Sequence, residues 1–380
     1  MMPRFLIVFC CTLLMILGAC NRQPASEIPV GLIAPLTGEV AATSGTPTLE
    51  GVELAIAEMN ETGGLEFQGQ KHPVRLVVED DQDNPNTAVA AANKLINQEG
   101  VVALVGLPLS RIAIPVSQVA EKAAIPMVSS KSTNPKTTQE KRYIFRATFT
   151  DTFQGETLAK FAREELNADT AAVLYDIASN YNKFLAEVFK TAFQEADGEI
   201  VAFESYVTDQ NEVTPQLLAI QKVQPDVLFL PNYPVEVTQQ AQQSREIGLD
   251  ATFLGGDAWT GFTEIETPEL EGAYYTADWA VDVDNQQSAA FVAAYQEKYQ
   301  EMPSSAAALG YDAVGLIFNA IATQQSATPE AIRDGLAKIQ NYQGVTGTIS
   351  FEENGDPVKS AVILRIENGK GVFDRIIEPN

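Results

Sequence analysis

The sequence contains a single histidine, His72, and no cysteine after residue 20; Cys10, Cys11 and Cys20 complete the set. One histidine leaves no histidine-based triad and no histidine-rich metal site. With no cysteine in its body the chain has no disulfide there. Its stability comes from an apolar core, which 380 residues with 45% hydrophobic content can supply, organised as two domains. Positive charge is scarce as well. Lysine and arginine total 25 against 50 acidic residues, and the net charge of −25 argues against nucleic acid and against an electrostatic grip on anionic lipid. No nucleophile–base pair and no metal-ligand spacing stands out, so an enzyme is the weakest functional reading, and no cofactor is expected. The acidic cluster Glu79, Asp80, Asp81 and Asp83 lacks the glycine and distal glutamate of a calcium loop and reads as a solvated strand-to-helix turn. Glu352 to Asp356 likewise reads as a turn.

What is present begins with a leader. Arg4 precedes an apolar stretch from Phe5 to Leu17, too short for a comfortable membrane span, and small residues follow. Residues 1–19 thus read as a signal peptide. Leu17-Gly18-Ala19-Cys20 resembles the lipobox of bacterial lipoproteins, which implies cleavage before Cys20 and lipid on its sulfur. Residues 20–27 are a polar tether. The expected location is the cell envelope, with the membrane reached through the anchor alone.

The body is organised around VVALVGLPLSRIAIPVSQVAEKAAIPMVSSKSTNP (101–135). Val101 to Val105 is a buried strand closed by Gly106, and Arg111 to Ala124 a helix with Pro115 in its first turn. Pro126 to Val128 is a second buried strand, ending in Ser129, Ser130, Ser132 and Thr133. Such a parallel βαβ unit binds ligands at the carboxyl ends of its strands, where hydroxyls and free N–H groups suit a carboxylate. The same residues also serve as ordinary caps and turns. Strand and helix alternate from Ile28 onward, with a break near Arg146 to Thr150, and the tail from Thr346 to Ile377 is β with turns at Asn354-Gly355 and Asn368-Gly369. The late helices Gln286 to Gln300, Ser305 to Thr323 and Pro329 to Ile339 have no strands between them and return to cover the first lobe. The fold class is therefore α/β, two Rossmann-like lobes with parallel-sheet cores, and the cleft between them is a natural small-ligand site.

Several segments then carry a resemblance: IAPLTGEVAATSG (33–45), GVELAIAEMNETGG (51–64), the Ser110 loop, SSKSTNPKTT (129–138), FRATFTDTFQG (145–155), VLYDIASNY (173–181), PDVLFLPNY (225–233), GLDATFLGGDAW (248–259) and TGTISFEENGD (346–356). In this order they resemble the type I periplasmic binding proteins of ABC transporters, the branch binding leucine, isoleucine, valine and other amino acids or amides. The resemblance implies two lobes, 28–147 with 280–348 and 148–279 with 349–380, joined by a multi-strand hinge. It implies that Ser110 takes the ligand's α-carboxylate, with Ser132 and Thr133 beside it. Tyr181 and Tyr233 line the second lobe's side, and Asp257 pairs with the α-ammonium. Lys131 replaces a small residue; pointing inward it would favour an acidic or strongly polar ligand side chain, and pointing outward it would snorkel to solvent. Trp259 with Leu109 forms an apolar wall, or belongs to the core. Thr43 and Ser44 replace an aromatic and leave the pocket more open or more polar.

The function implied is a solute-binding lipoprotein that captures an amino acid or amide by hinge closure and hands it to ABC permease subunits. The alternative is a ligand-sensing or regulatory envelope lipoprotein of the same fold that activates a partner protein.

Overall fold

The computed structural model describes residues 26–379 apart from 209, 211, 263–264, 284 and 353. The leader, Cys20 and most of the tether lie outside the described residues. The first sheet is built from β1 (Ile28–Ala34), β4 (Val74–Asp80), β5 (Ala103–Gly106), β6 (Met127–Ser129) and β7 (Ile144–Arg146), with α1 (Thr46–Glu61), α2 (Pro85–Asn97) and α3 (Ser110–Ala123) between them. A small hairpin, β2 (Leu65–Phe67) and β3 (Gln70–His72), follows α1. The second sheet takes β8 (Thr170–Asp176), β9 (Glu199–Tyr206), β10 (Val227–Leu230), β11 (Thr252–Gly255) and β12 (Tyr274–Ala277). Its helices are α4 (Asp151–Glu164), α5 (Asn180–Glu195), α6 (Thr214–Val223) and α7 (Pro234–Glu246). After β12 come α8 (Gln286–Tyr299), α9 (Ser305–Gln324) and α10 (Pro329–Leu336). A three-stranded sheet of β13 (Tyr342–Gly344), β14 (Gly347–Phe351) and β15 (Pro357–Val358) comes next, and the hairpin of β16 (Ala361–Glu367) and β17 (Lys370–Ile377) ends the chain.

The strand orders are β4-β1-β5-β6-β7, all parallel, and β17-β16-β12-β11-β10-β8-β9, parallel except for β16 and β17. Parallel strands covered on both faces are near-continuously apolar, and β5 and β10 are buried at every position. Each sheet carries a core on either face. On the first, Val30 and Leu32 face α1 and α9, while Ile33 faces α2 and α3. Helix starts follow local chemistry: Asn84 Oδ1 accepts from the N–H groups of Asn86 and Thr87 ahead of Pro85, and Thr150 and Ser179 cap α4 and α5.

The late helices return to the first lobe. α9 is long and apolar enough to cross a membrane, yet it is packed inside the protein against α1 and α10. Small residues let the helices touch: a Cβ on Gly51 would sit 2.0 Å from the Ala307 carbonyl oxygen. The chain passes between the sheets three times, at 147–150, after Asp278 and at Lys359 and Ser360. These crossings are tied together. Thr148 Oγ1 donates to Asp278 Oδ1, and the buried Lys359 ammonium donates to Ala147 O (3.2 Å) and Thr346 Oγ1 (2.6 Å). Ile349 and Phe351 are buried in the first core, so the last crossing comes about ten residues later than the division after residue 348 expected from the sequence.

Two local expectations need correction. Pro115 lies beyond the first turn of α3, because the helix begins at Ser110, and there it withholds an N–H from the helix ladder. The acidic cluster is not a solvated turn. Asp80 accepts from Leu36 N, Gln82 N and Thr37 Oγ1, Asp83 pairs with Arg111, and Asp81 is fully buried. Burial pushes the Asp81 carboxyl up to about 6.

Candidate ligand pocket

The carboxyl ends of both sheets face a common cleft, as open parallel sheets require of a ligand site. The first lobe contributes the turn after β1, the start of α3 after β5 and the hydroxyl-rich loop after β6. The second contributes the start of α5 after β8, Tyr233 after β10 and Asp257 after β11. Between them lies a cavity of about 720 Å³, counting the part open to solvent.

Ser110 is the first residue of α3 and is buried at the cavity wall. The first N–H groups of a helix have no partner within it, and the dipole there favours an anion. Gly106 lets the chain leave β5 close against β1: its φ is +96°, and a Cβ would meet Ile33 O at 2.6 Å. A relay of hydroxyls positions Ser110. Its Oγ lies 2.9 Å from Ser132 Oγ, which lies 2.7 Å from Thr137 Oγ1, and Ser129 Oγ donates to Leu107 O (2.8 Å). Thr133 lines the cavity, whereas Ser132 stands behind Ser110 and does not.

The loop that carries these residues is held by Arg146, whose side chain is wholly buried. Its guanidinium donates to Ser132 O (2.6 Å), Asn134 O (3.0 Å), Thr138 Oγ1 (2.7 Å) and Asp356 Oδ1 (2.7 Å). The sequence marked Arg146 only as the edge of a lobe.

Across the cleft, Tyr181 and Tyr233 line the cavity with ring centroids 5.5 Å apart. Burial lifts the Tyr181 phenol well above its ordinary range and the Tyr233 phenol to about 12. Arg111, fixed by a two-pronged pair with Asp83 (2.7 and 2.6 Å), lies over the Tyr233 ring at 5.1 Å. The lobes also meet where Asn134 Nδ2 donates to Asn180 O (2.9 Å). Both contacts cross the cleft.

Asp257 is buried at the cavity wall and fully partnered. Its Oδ1 accepts from Tyr181 OH (2.9 Å) and Gln154 Nε2 (3.0 Å), and its N–H donates to Gln154 Oε1 (2.8 Å). Lys131 Nζ donates to Asp257 Oδ2 (2.7 Å), Asp257 O (3.0 Å) and Asp278 Oδ2 (3.3 Å). Lys131 therefore points inward and lines the cavity. Burial alone would lower its ammonium, but the two carboxylates hold it above its ordinary value. Behind Asp257, burial and then the Asp257 charge push Asp151 up to about 8.

Of the two placements open to it, cavity wall or core, Trp259 takes the core. It is wholly buried in the second core, stacked beneath Gly255, with Nε1 donating to Leu230 O (3.1 Å), and it does not line the cavity. Leu109 does, as do Thr43 and Ser44 from the turn after β1, together with Val40, Pro234 and Val235, which the sequence did not single out. Their signal was weak: Val40 is an isolated apolar residue in the turn after β1, and Pro234 and Val235 are the first two residues of α7, where they read as an ordinary helix start.

Comparison with known proteins agrees with this architecture. The family described as "Periplasmic binding protein" matches residues 27–371. The chain belongs to this periplasmic binding protein family. Among curated relatives, the leucine-, isoleucine-, valine-, threonine- and alanine-binding protein of Pseudomonas aeruginosa is 28% identical and aligns over 89% of each chain. The Leu/Ile/Val-binding protein BraC3 of Rhizobium johnstonii is 30% identical over 91% of this chain and 93% of its own. Two solved structures at 30% identity superpose closely. The leucine-binding protein LivK of Thermotoga maritima gives a TM-score of 0.85 over 93% of this chain and 99% of its own. The substrate-binding protein LivJ of Streptococcus pneumoniae, solved with isoleucine, gives 0.84 over 93% and 100%. This periplasmic binding protein thus has the type I fold and a substrate-binding role, and membership of the family implies export to the periplasm.

Proposed function

We propose that the protein is the solute-binding lipoprotein of an ABC importer, anchored through Cys20, and that it captures a small carboxylate of amino-acid size between its lobes. The observation that carries the reading is a cavity walled by both lobes, with Ser110 and the start of α3 at one side and Tyr181 and Tyr233 at the other. Amino acids and amides are the class its relatives suggest. Hinge motion at the three crossings would close the lobes over the ligand and present the closed form to permease subunits. No covalent chemistry is part of this scheme.

Thermal unfolding of the mature chain without its lipid tests the reading against a panel of amino acids, amides and small monocarboxylates. A ligand at about a hundred times its dissociation constant adds roughly 2.7 kcal/mol of stability. Stabilisation by a panel member, lost in Ser110→Ala, is the expected result. A folded, ligand-free protein that no panel member stabilises would overturn the proposal in favour of a regulatory lipoprotein.

A further inference from the structure

The pocket offers partners for an anion, but its one buried carboxylate is already taken. Of the two acidic side chains lining it among the described residues, Glu39 is exposed at the mouth and Asp257 is buried. Both oxygens of Asp257 are engaged, Oδ1 by Tyr181 and Gln154, Oδ2 by Lys131. A primary ammonium belonging to the chain thus occupies the place where a ligand's ammonium would have to sit. Its three N–H groups go to Asp257 Oδ2, Asp257 O and Asp278 Oδ2. A second ammonium brought to Asp257 would find both carboxylate oxygens already engaged and would have to displace the Lys131 ammonium to bond them.

The same bonds decide against an acidic ligand side chain. Lys131 has no N–H group left to offer a second carboxylate, and two aspartates already more than balance its charge. An inward Lys131 therefore does not act as the cationic side-chain pocket expected from the sequence. What remains is one anion-favouring end, at Ser110 and the start of α3, and walls supplied by Val40, Leu109, Tyr181, Tyr233 and Pro234.

We infer that the pocket selects a small apolar monocarboxylate bearing no free ammonium group, and that Lys131, paired with Asp257, is the residue that imposes the choice. The inference rests on the solute-binding reading above and deepens it to a ligand class. The carboxylate lies at Ser110, the aliphatic or aromatic body fills the apolar walls, and the Lys131–Asp257 pair stays intact.

The test is calorimetric titration of the mature chain at neutral pH with matched pairs: leucine and isocaproate, valine and isovalerate, phenylalanine and hydrocinnamate. In every pair that binds, the deaminated member binds at least about tenfold more tightly. Lys131→Met frees Asp257, and the affinity ratio within each such pair then shifts by at least about tenfold toward the amino acid. An amino acid that binds the unaltered protein as tightly as its deaminated partner would overturn the inference and leave the solute-binding reading standing. If no member of any pair binds the folded protein, the inference falls, and the wider panel of the thermal-unfolding test decides the solute-binding reading separately. Should Lys131→Met fail to fold by circular dichroism, the pairwise ratios on the unaltered protein decide alone.

Discussion

Removing Arg146 is the severest single test of how the pocket loop is held. Arg146→Met keeps an unbranched side chain of similar length but deletes every guanidinium N–H. Two backbone carbonyls, Ser132 O and Asn134 O, then lose a buried partner, and a stranded buried group costs about 1–3 kcal/mol. Asp356 loses its charge partner but is a fifth exposed and keeps the hydrogen bond from Thr138 Oγ1 (2.6 Å), so its share is smaller. The total comes to roughly 3–5 kcal/mol, the usual cost of breaking a buried pair from one side. Ligand affinity should fall as well, because the freed loop carries Lys131, Ser132 and Thr133. Urea unfolding followed by intrinsic fluorescence measures the first quantity, and calorimetric titration the second. A variant within about 1 kcal/mol of the unaltered protein and with full affinity would refute the reasoning.

Three other outcomes follow from the packing and the charges. Asp151 binds its proton more tightly folded, at about 8, than an unfolded aspartate does, so its contribution is complete below the unfolded value and is lost as pH rises through the folded one. Between pH 6 and 7.5 this amounts to about 2 kcal/mol, and Asp151→Asn should flatten the loss when urea midpoints are compared across that window. Gly51→Ala places a methyl group against the Ala307 carbonyl and should cost about 1–3 kcal/mol while leaving ligand affinity alone. Gly256→Ala should do the reverse: its Cβ would meet Tyr181 OH at 2.6 Å and Leu185 Cδ2 at 2.8 Å, so titration should show weakened binding with a smaller stability change.

Much of the architecture was readable along the chain because parallel strands buried on both faces must be short apolar runs, and most were followed by a helix, some with a side-chain cap such as Asn84, Thr150 or Ser179. Asn368-Gly369 announced the β16–β17 hairpin, and both residues adopt the positive φ such a turn needs. The hairpin of β2 and β3 escaped notice because three-residue strands carry too little alternation to detect. In the pocket, the loop after β5 pointed to Ser110 and the hydroxyl run after β6 to Ser132 and Thr133, but sequence order could not separate the side chain at the wall from the one behind it. The direction of Lys131 depends on acids 126 and 147 residues away, which no local pattern reveals. Sequence order leaves Trp259, two residues after a pocket aspartate, open between cavity wall and core, because it does not tell which way the ring points. The clue was Gly255, where a Cβ would fall 2.1 Å from the indole, a sign of a ring packed beneath the strand.

The most direct test of the account is a crystal structure of the protein grown with the tightest-binding member of the panel. The account predicts density between the lobes with a carboxylate within hydrogen-bond reach of Ser110 Oγ, an apolar body between Leu109 and the two tyrosines, and Lys131 still bonded to Asp257. A ligand ammonium seated on Asp257 with Lys131 swung away, or a ligand found elsewhere with the cleft empty, would contradict it.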